Sequence, residues 1–133
     1  NKIEGDNSTP KGLFKLKKLY YRKDRIKSFK CRIKKKIITK NLAWCDDPNH
    51  KNYNEEIKDF SNKSREKFYR IDNKYDFLIS INHNQKKTPY KGSAIFLHLT
   101  DNYKPTAGCI ALKKKDFQIL LKLINQNTKI KIG

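Results

Sequence analysis

Two short apolar runs constrain this sequence more than any other feature. Phe77-Leu78-Ile79-Ser80-Ile81 is apolar at four of five positions, and Ala94-Ile95-Phe96-Leu97-His98-Leu99 is the most hydrophobic stretch of the chain. Each is too short for a core helix, is rich in β-branched or aromatic residues, and is bounded by turn formers: Asn82-His83-Asn84 after the first, Gly92-Ser93 before the second. Runs without polar alternation read as strands covered on both faces. The fold must therefore place two strands at its centre.

The remaining pattern arranges itself around that pair. Gly12-Leu13-Phe14-Lys15-Leu16 alternates behind the Thr9-Pro10-Lys11-Gly12 turn and predicts a strand, as does Lys129-Ile130-Lys131-Ile132 at the other end. Lys114 to Ile124 brings Phe117, Leu120, Leu121 and Ile124 onto one side at helical spacing. Ser28–Arg32 and Lys36–Thr39 are weaker strand candidates, Asn41–Asn54 reads as loop, and Ser64 reads as the N-cap of a short helix over Arg65–Arg70. The fold class expected is α+β, mainly β, in one domain over 1–133, with a short helix and one C-terminal amphipathic helix. Position 1 is not Met and the chain contains none, which reads as a processed or trimmed form.

Charge bounds the function without naming it. Thirty-two Lys and Arg oppose 13 Asp and Glu, for a net charge of +19. Lys17 to Lys36 carries eleven of the cations and one acid, with Tyr20, Tyr21 and Phe29 among them. Such a field attracts polyanions, and a polyanion-binding module is one reading. Arginine, the better phosphate fork, supplies only five of the cations, which weighs against nucleic acid as the partner. No apolar run approaches the roughly 20 residues of a membrane span. Cys31, Cys45 and Cys109 show no zinc-ligand spacing, so no metal site is expected; Cys31 and Cys45 either pair in an oxidising compartment or stay free.

One constellation carries chemistry. His98 ends the most buried strand, a turn-rich connection follows, and Thr106-Ala107-Gly108-Cys109 opens the next apolar stretch. A cysteine nucleophile needs a neighbouring base, because the thiolate is the attacking species. Gly108, lacking Cβ, lets its backbone approach a substrate carbonyl. The alternative is an inert packed cysteine beside a satisfied core histidine. Asp46-Asp47 either bind an amine or cap the turn at Pro48, and the turn is favoured. Glu66 reads as a solvated helix residue, and Trp44 and Tyr53 as packing residues or, less favoured, as a glycan or peptide platform. His50 and His83 receive no role.

In order along the chain, Glu4-Gly5-Asp6-Asn7-Ser8-Thr9-Pro10-Lys11-Gly12-Leu13-Phe14, Trp44-Cys45-Asp46-Asp47-Pro48 with Tyr53-Asn54, Gly92-Ser93-Ala94-Ile95-Phe96-Leu97-His98 and Thr106-Ala107-Gly108-Cys109-Ile110-Ala111-Leu112 resemble the L,D-transpeptidase catalytic domain, the YkuD-type family of bacterial cell walls. Ala107 and Ala111 stand where that family commonly has His and then Arg or Asn, and Cys109 follows His98 by eleven positions, as in a compact subgroup. The resemblance implies a β-sandwich in which Cys109 is the nucleophile and His98 its base, oriented by the Leu99 carbonyl. It implies oxyanion donors at Gly108 and Cys109 and a cleft lined by Tyr90, Ser93 and Thr106. The implied reaction uses no metal or other cofactor. Cys109 attacks the meso-diaminopimelate carbonyl of a peptidoglycan stem peptide, forms a thioester, and passes the acyl group to an acceptor amine. Water as acceptor would make it an L,D-carboxypeptidase or wall-peptide hydrolase instead. Carbapenems are the implied inhibitors, and the periplasm of a bacterial envelope the implied location.

Overall fold

A computed structural model describes residues 1–58 and 64–133. The two apolar runs become β6 (Phe77–Ile81) and β7 (Phe96–Leu99), antiparallel neighbours at the centre of the larger sheet. The elements before them are β1 (Gly12–Tyr21), β2 (Lys34–Ile37), β3 (Leu42–Cys45), β4 (Glu56–Lys58) and β5 (Arg65–Lys67); after them come β8 (Ile110–Leu112), α1 (Lys114–Leu123) and β9 (Lys129–Ile132). The larger sheet runs β2-β1-β6-β7-β8, with β9 paired to the first half of β1. A second, antiparallel sheet has the order β4-β3-β5. Among the described residues this is a mainly β fold of two sheets and one helix; the mainly β class is as expected, and the helix is the expected C-terminal amphipathic one.

Strand alternation sorts the core into two layers. Phe77, Ile79 and Ile81 of β6 and Leu97 and Leu99 of β7 face α1, where they meet Phe117, Leu121 and Ile124. Leu78 and Phe96 face the opposite way, toward Leu42 of β3, Phe68 and Tyr75. Period-two geometry requires this division. It also sends His98 to the Phe96 face, away from the helix. α1 carries Asp116 in its first turn and Lys122 in its last, each suited to the helix dipole.

Three local expectations are corrected. Arg65–Lys67 is a strand rather than a helix: Ala43, Trp44 and Cys45 pair with Lys67, Glu66 and Arg65, so sheet hydrogen bonding overrides the helix propensity of Arg-Glu-Lys. Within the predicted loop, Leu42–Cys45 is the middle strand of the second sheet, with Ala43 and Cys45 fully buried. Ser28–Arg32 is not a strand; Arg32 forms only a single bridge with Asn125. Cys31, Cys45 and Cys109 form no disulfide among the described residues. Cys31 lies at the edge of the helix-side core and Cys45 within β3.

Candidate active site

The site is assembled by the β7–β8 pair. These strands are parallel, and Leu97 and His98 stand opposite Ile110 and Ala111. One step back along the same register puts Cys109 beside Phe96, and the Phe96 N–H points at the Cys109 Sγ at 3.4 Å. Cys109 packs against the Phe96-side core. The thiol donates to the Ala94 carbonyl at 3.2 Å. Thiol and imidazole thus belong to one face of the sheet and open into one cavity of about 520 Å³.

His98 is buried, and its Nδ1 lies 2.8 Å from the Leu99 carbonyl oxygen. A carbonyl only accepts, so Nδ1 carries the proton and Nε2 keeps a free lone pair. The Tyr75 ring meets the imidazole edge-on at 5.4 Å and fixes its plane. Burial lowers the imidazole pKa, with the Lys74 and Arg70 charges acting in the same direction against the Leu99 hydrogen bond. Burial also pushes the Cys109 thiol up to about 11, opposed by the Phe96 N–H. At neutral pH the resting pair is neutral thiol and neutral imidazole.

Thr106 and Ser93 line the cavity; Tyr90 does not, being exposed with its hydroxyl on Asn49. The Thr106 hydroxyl holds the turn before the cysteine, donating to the Cys109 carbonyl at 2.6 Å and accepting the Gly108 N–H at 3.2 Å. The Gly108 N–H is therefore engaged within the turn. Gly108 has φ +134°, and a Cβ there would come within 2.6 Å of the Ser8 carbonyl oxygen. Glycine is needed at this position because the N-terminal arm crosses it.

That arm is a wall of the site which sequence reasoning missed. Lys2, Glu4, Gly5 and Asn7 line the cavity. The Glu4 carboxylate accepts hydrogen bonds from the Tyr53 hydroxyl at 2.5 Å and the Ser93 hydroxyl at 2.9 Å, and its N–H bonds the Tyr90 carbonyl. Tyr53 thus packs and anchors the arm at once. The opposite wall was also missed. Glu66, expected on a solvated helix, lines the cavity from β5, accepts the Tyr75 hydroxyl at 2.8 Å and lies 3.6 Å from Arg70. The Arg70 Nε and Nη2 fork onto the Asp72 carboxylate and hold that carboxyl down at about 2. Of the acidic pair, Asp47 caps its turn through the Asn49 N–H, while Asp46 faces the cavity. His50 accepts the Asn52 N–H through Nδ1, and His83 Nε2 lies 3.0 Å from the Lys91 carbonyl; neither reaches the cavity. Among the described residues no cluster of His, Cys, Asp or Glu could hold a metal ion.

A thiol and a tautomer-fixed imidazole share one cleft at the edge of a mainly β scaffold, an arrangement that can support nucleophilic chemistry at sulfur. The YkuD model, that of the L,D-transpeptidase catalytic domain, matches residues 1–132, and the chain belongs to this family. No curated protein and no solved structure matches the chain. The family is cysteine-dependent and acts on peptidoglycan peptides.

Proposed function

We propose that this protein is a peptidoglycan L,D-transpeptidase with Cys109 as nucleophile and His98 as general base. The observation that carries the reading is the pairing of the two side chains in one cavity with the imidazole tautomer set by Leu99. His98 Nε2 takes the thiol proton as Sγ attacks the meso-diaminopimelate carbonyl of a donor stem. The negative charge passes to the carbonyl oxygen, toward the Cys109 backbone N–H. Collapse of that intermediate expels the terminal D-Ala amine, which takes the proton from the imidazolium and leaves a thioester on Cys109. An acceptor amine then attacks the thioester and gives up its proton to His98. The proton returns to the departing thiolate, restoring the resting pair.

The resting thiol is poorly ionised, so the base and not a standing thiolate supplies reactivity. Thr106 supports the reading by holding the turn that presents Cys109, and Ser93 by fixing the Glu4 wall. Lys74, on the His98 side, offers a cation to a stem carboxylate, while Arg70 beside it is held by Asp72 and Glu66.

The place of action is the bacterial envelope, in the periplasm, where the net charge of +19 retains the enzyme on anionic wall polymers. No described helix is long and apolar enough to cross a membrane. Retention predicts release from isolated walls as salt is raised; tighter attachment at high salt contradicts it.

The deciding experiment is intact-mass spectrometry after incubation with a carbapenem. One adduct mapped to Cys109, absent in Cys109→Ala, is the expected result. An unmodified protein, or an adduct on Cys31 or Cys45, overturns the assignment. New stem dimers in a muropeptide digest identify transpeptidation, and shortened stems alone identify hydrolysis.

A further inference from the structure

One charge on the wall of the catalytic cavity takes no part in the acyl-transfer steps. The Glu4 carboxylate accepts the Tyr53 and Ser93 hydroxyls through a single oxygen, Oε2. Among the described residues its Oε1 accepts no hydrogen bond, and no Lys or Arg forms an ion pair with it. In a chain with 32 Lys and Arg against 13 acids, a carboxylate without a cation does not reflect a shortage of cations. Lys2, two residues away along the arm, is paired with Asp6 instead. Of the two other carboxylates described on the cavity, Glu66 lies 3.6 Å from Arg70 and Asp46 accepts the Ser64 hydroxyl.

The Glu4 carboxylate is also held in place. Tyr53 is buried and its hydroxyl accepts the Gly92 N–H at 3.1 Å, so its one proton is committed to Glu4. Burial and the neighbouring Glu4 charge push the Tyr53 hydroxyl up, which keeps it a donor. Ser93 is buried as well, and the Glu4 N–H is bonded to the Tyr90 carbonyl. Ser93 precedes Ala94, whose carbonyl receives the Cys109 thiol at 3.2 Å. Two consecutive residues therefore fix both the nucleophile and the uncompensated charge. A carboxylate with one oxygen anchored and the other open suits a ligand ammonium, which brings a countercharge and N–H donors together.

We propose that Glu4 is a specificity-determining residue that binds the free side-chain ammonium of the donor's meso-diaminopimelate. The choice of ligand rests on the acyl-transfer reading; the uncompensated carboxylate on the thiol-bearing segment does not. The donor carbonyl has to reach Sγ, and the side-chain amine lies only a few bonds beyond that carbonyl. Such an amine is protonated at neutral pH and stays outside the bond-making steps, taking no proton from His98 and giving none. Glu4 thereby favours a donor whose third residue ends in a cation over one that ends in a neutral group, and holds its carbonyl in register with Cys109.

The test measures affinity by calorimetry on Cys109→Ala protein. One ligand is a tetrapeptide stem, acetylated at its N-terminus, with the side-chain amine free; the other is the same stem acetylated at that amine too. The free-amine stem should bind about tenfold more tightly, and Glu4→Gln should remove that difference while moving the affinity of the fully acetylated stem by less than about twofold. No saturable binding of the free-amine stem up to about 10 mM overturns the proposal. So do equal affinities of the two stems, a preference that survives Glu4→Gln, or an equal loss for both stems in Glu4→Gln, which marks the residue as a strut of the wall alone. Thioester formation in protein that retains Cys109, read by intact mass, should show the same ratio of rates between the stems. A binding preference that leaves those rates equal moves the amine to the acceptor and overturns the donor assignment. Amine-dependent binding with no thioester at all upholds the ammonium site and overturns the acyl-transfer reading; thioester formation indifferent to the amine and to Glu4→Gln does the reverse.

Discussion

The two faces of the β6–β7 pair are built from adjacent residues of the same strands, yet they have opposite characters. On the helix side Ile79, Ile81, Leu97 and Leu99 meet Phe117, Leu121 and Ile124, and Phe77 stacks on Phe117 with ring centres 5.5 Å apart. On the other side the contacts are aromatic, with Trp44, Phe68, Tyr75 and Phe96 meeting mostly edge-to-face, and the layer ends in the cavity beside His98 and Cys109. An aliphatic layer can close over itself and exclude water. An aromatic layer with a tyrosine hydroxyl and an imidazole must leave polar groups satisfied at its margin, and that margin is where the site lies. A two-residue period thus assigns the aliphatic core and the lining of the cavity to opposite faces.

Substitutions on the two faces should separate accordingly. The largest effect expected is at Cys109→Ala, which should reduce turnover of a donor stem by at least about a thousandfold while moving the unfolding free energy by less than about 1 kcal/mol. Turnover assays paired with urea unfolding check it, and comparable loss of stability would break the division of labour. Phe117→Ala on the helix side should do the opposite. It removes a fully buried ring and should cost roughly 3–5 kcal/mol of stability, while the folded fraction still takes a carbapenem on Cys109. A smaller effect belongs to Tyr75→Phe. Loss of the hydroxyl leaves Glu66 without that donor, costing about 1 kcal/mol, and should alter KM more than kcat if the wall binds substrate.

The subtlest test is pH. His98 has its pKa lowered, so it stays neutral below the ordinary imidazole range. The rate should fall with acidification at a midpoint below the usual ~6.5. Folding should weaken in the same window, because the unfolded chain takes up that proton first. At the alkaline end the Cys109 thiol is raised to about 11, so the unfolded thiol ionises earlier. Stability contributed by the buried thiol should decline as pH rises from the ordinary thiol value toward 11. A midpoint for the rate above 6.5 would show that the imidazole is less desolvated than its surroundings indicate.

Long or strongly patterned segments were legible from residues alone. β6 and β9 fall where their patterns put them, and α1 runs Lys114–Leu123 within the segment read as helix. Short segments were not. Three residues such as Arg65-Glu66-Lys67 contain no period, and a serine before them imitates a helix cap; only pairing with Trp44 and its neighbours makes them a strand. Leu42–Cys45 was hidden by the polar turn residues after it, although its own residues are apolar. The same limit hid the cavity walls. Glu66 could not be placed without β5, and nothing local announces that the N-terminal arm will fold over Gly108.

Local order of residues settled which strands would be central, which face of each would receive an imidazole, and that a thiol would follow one turn later, because side-chain alternation and turn chemistry act over a few bonds. Packing between distant segments decided what surrounds that thiol. Glu4 meets Ser93 and Glu66 meets Tyr75, because each contact depends on burial and strand register that no short window contains.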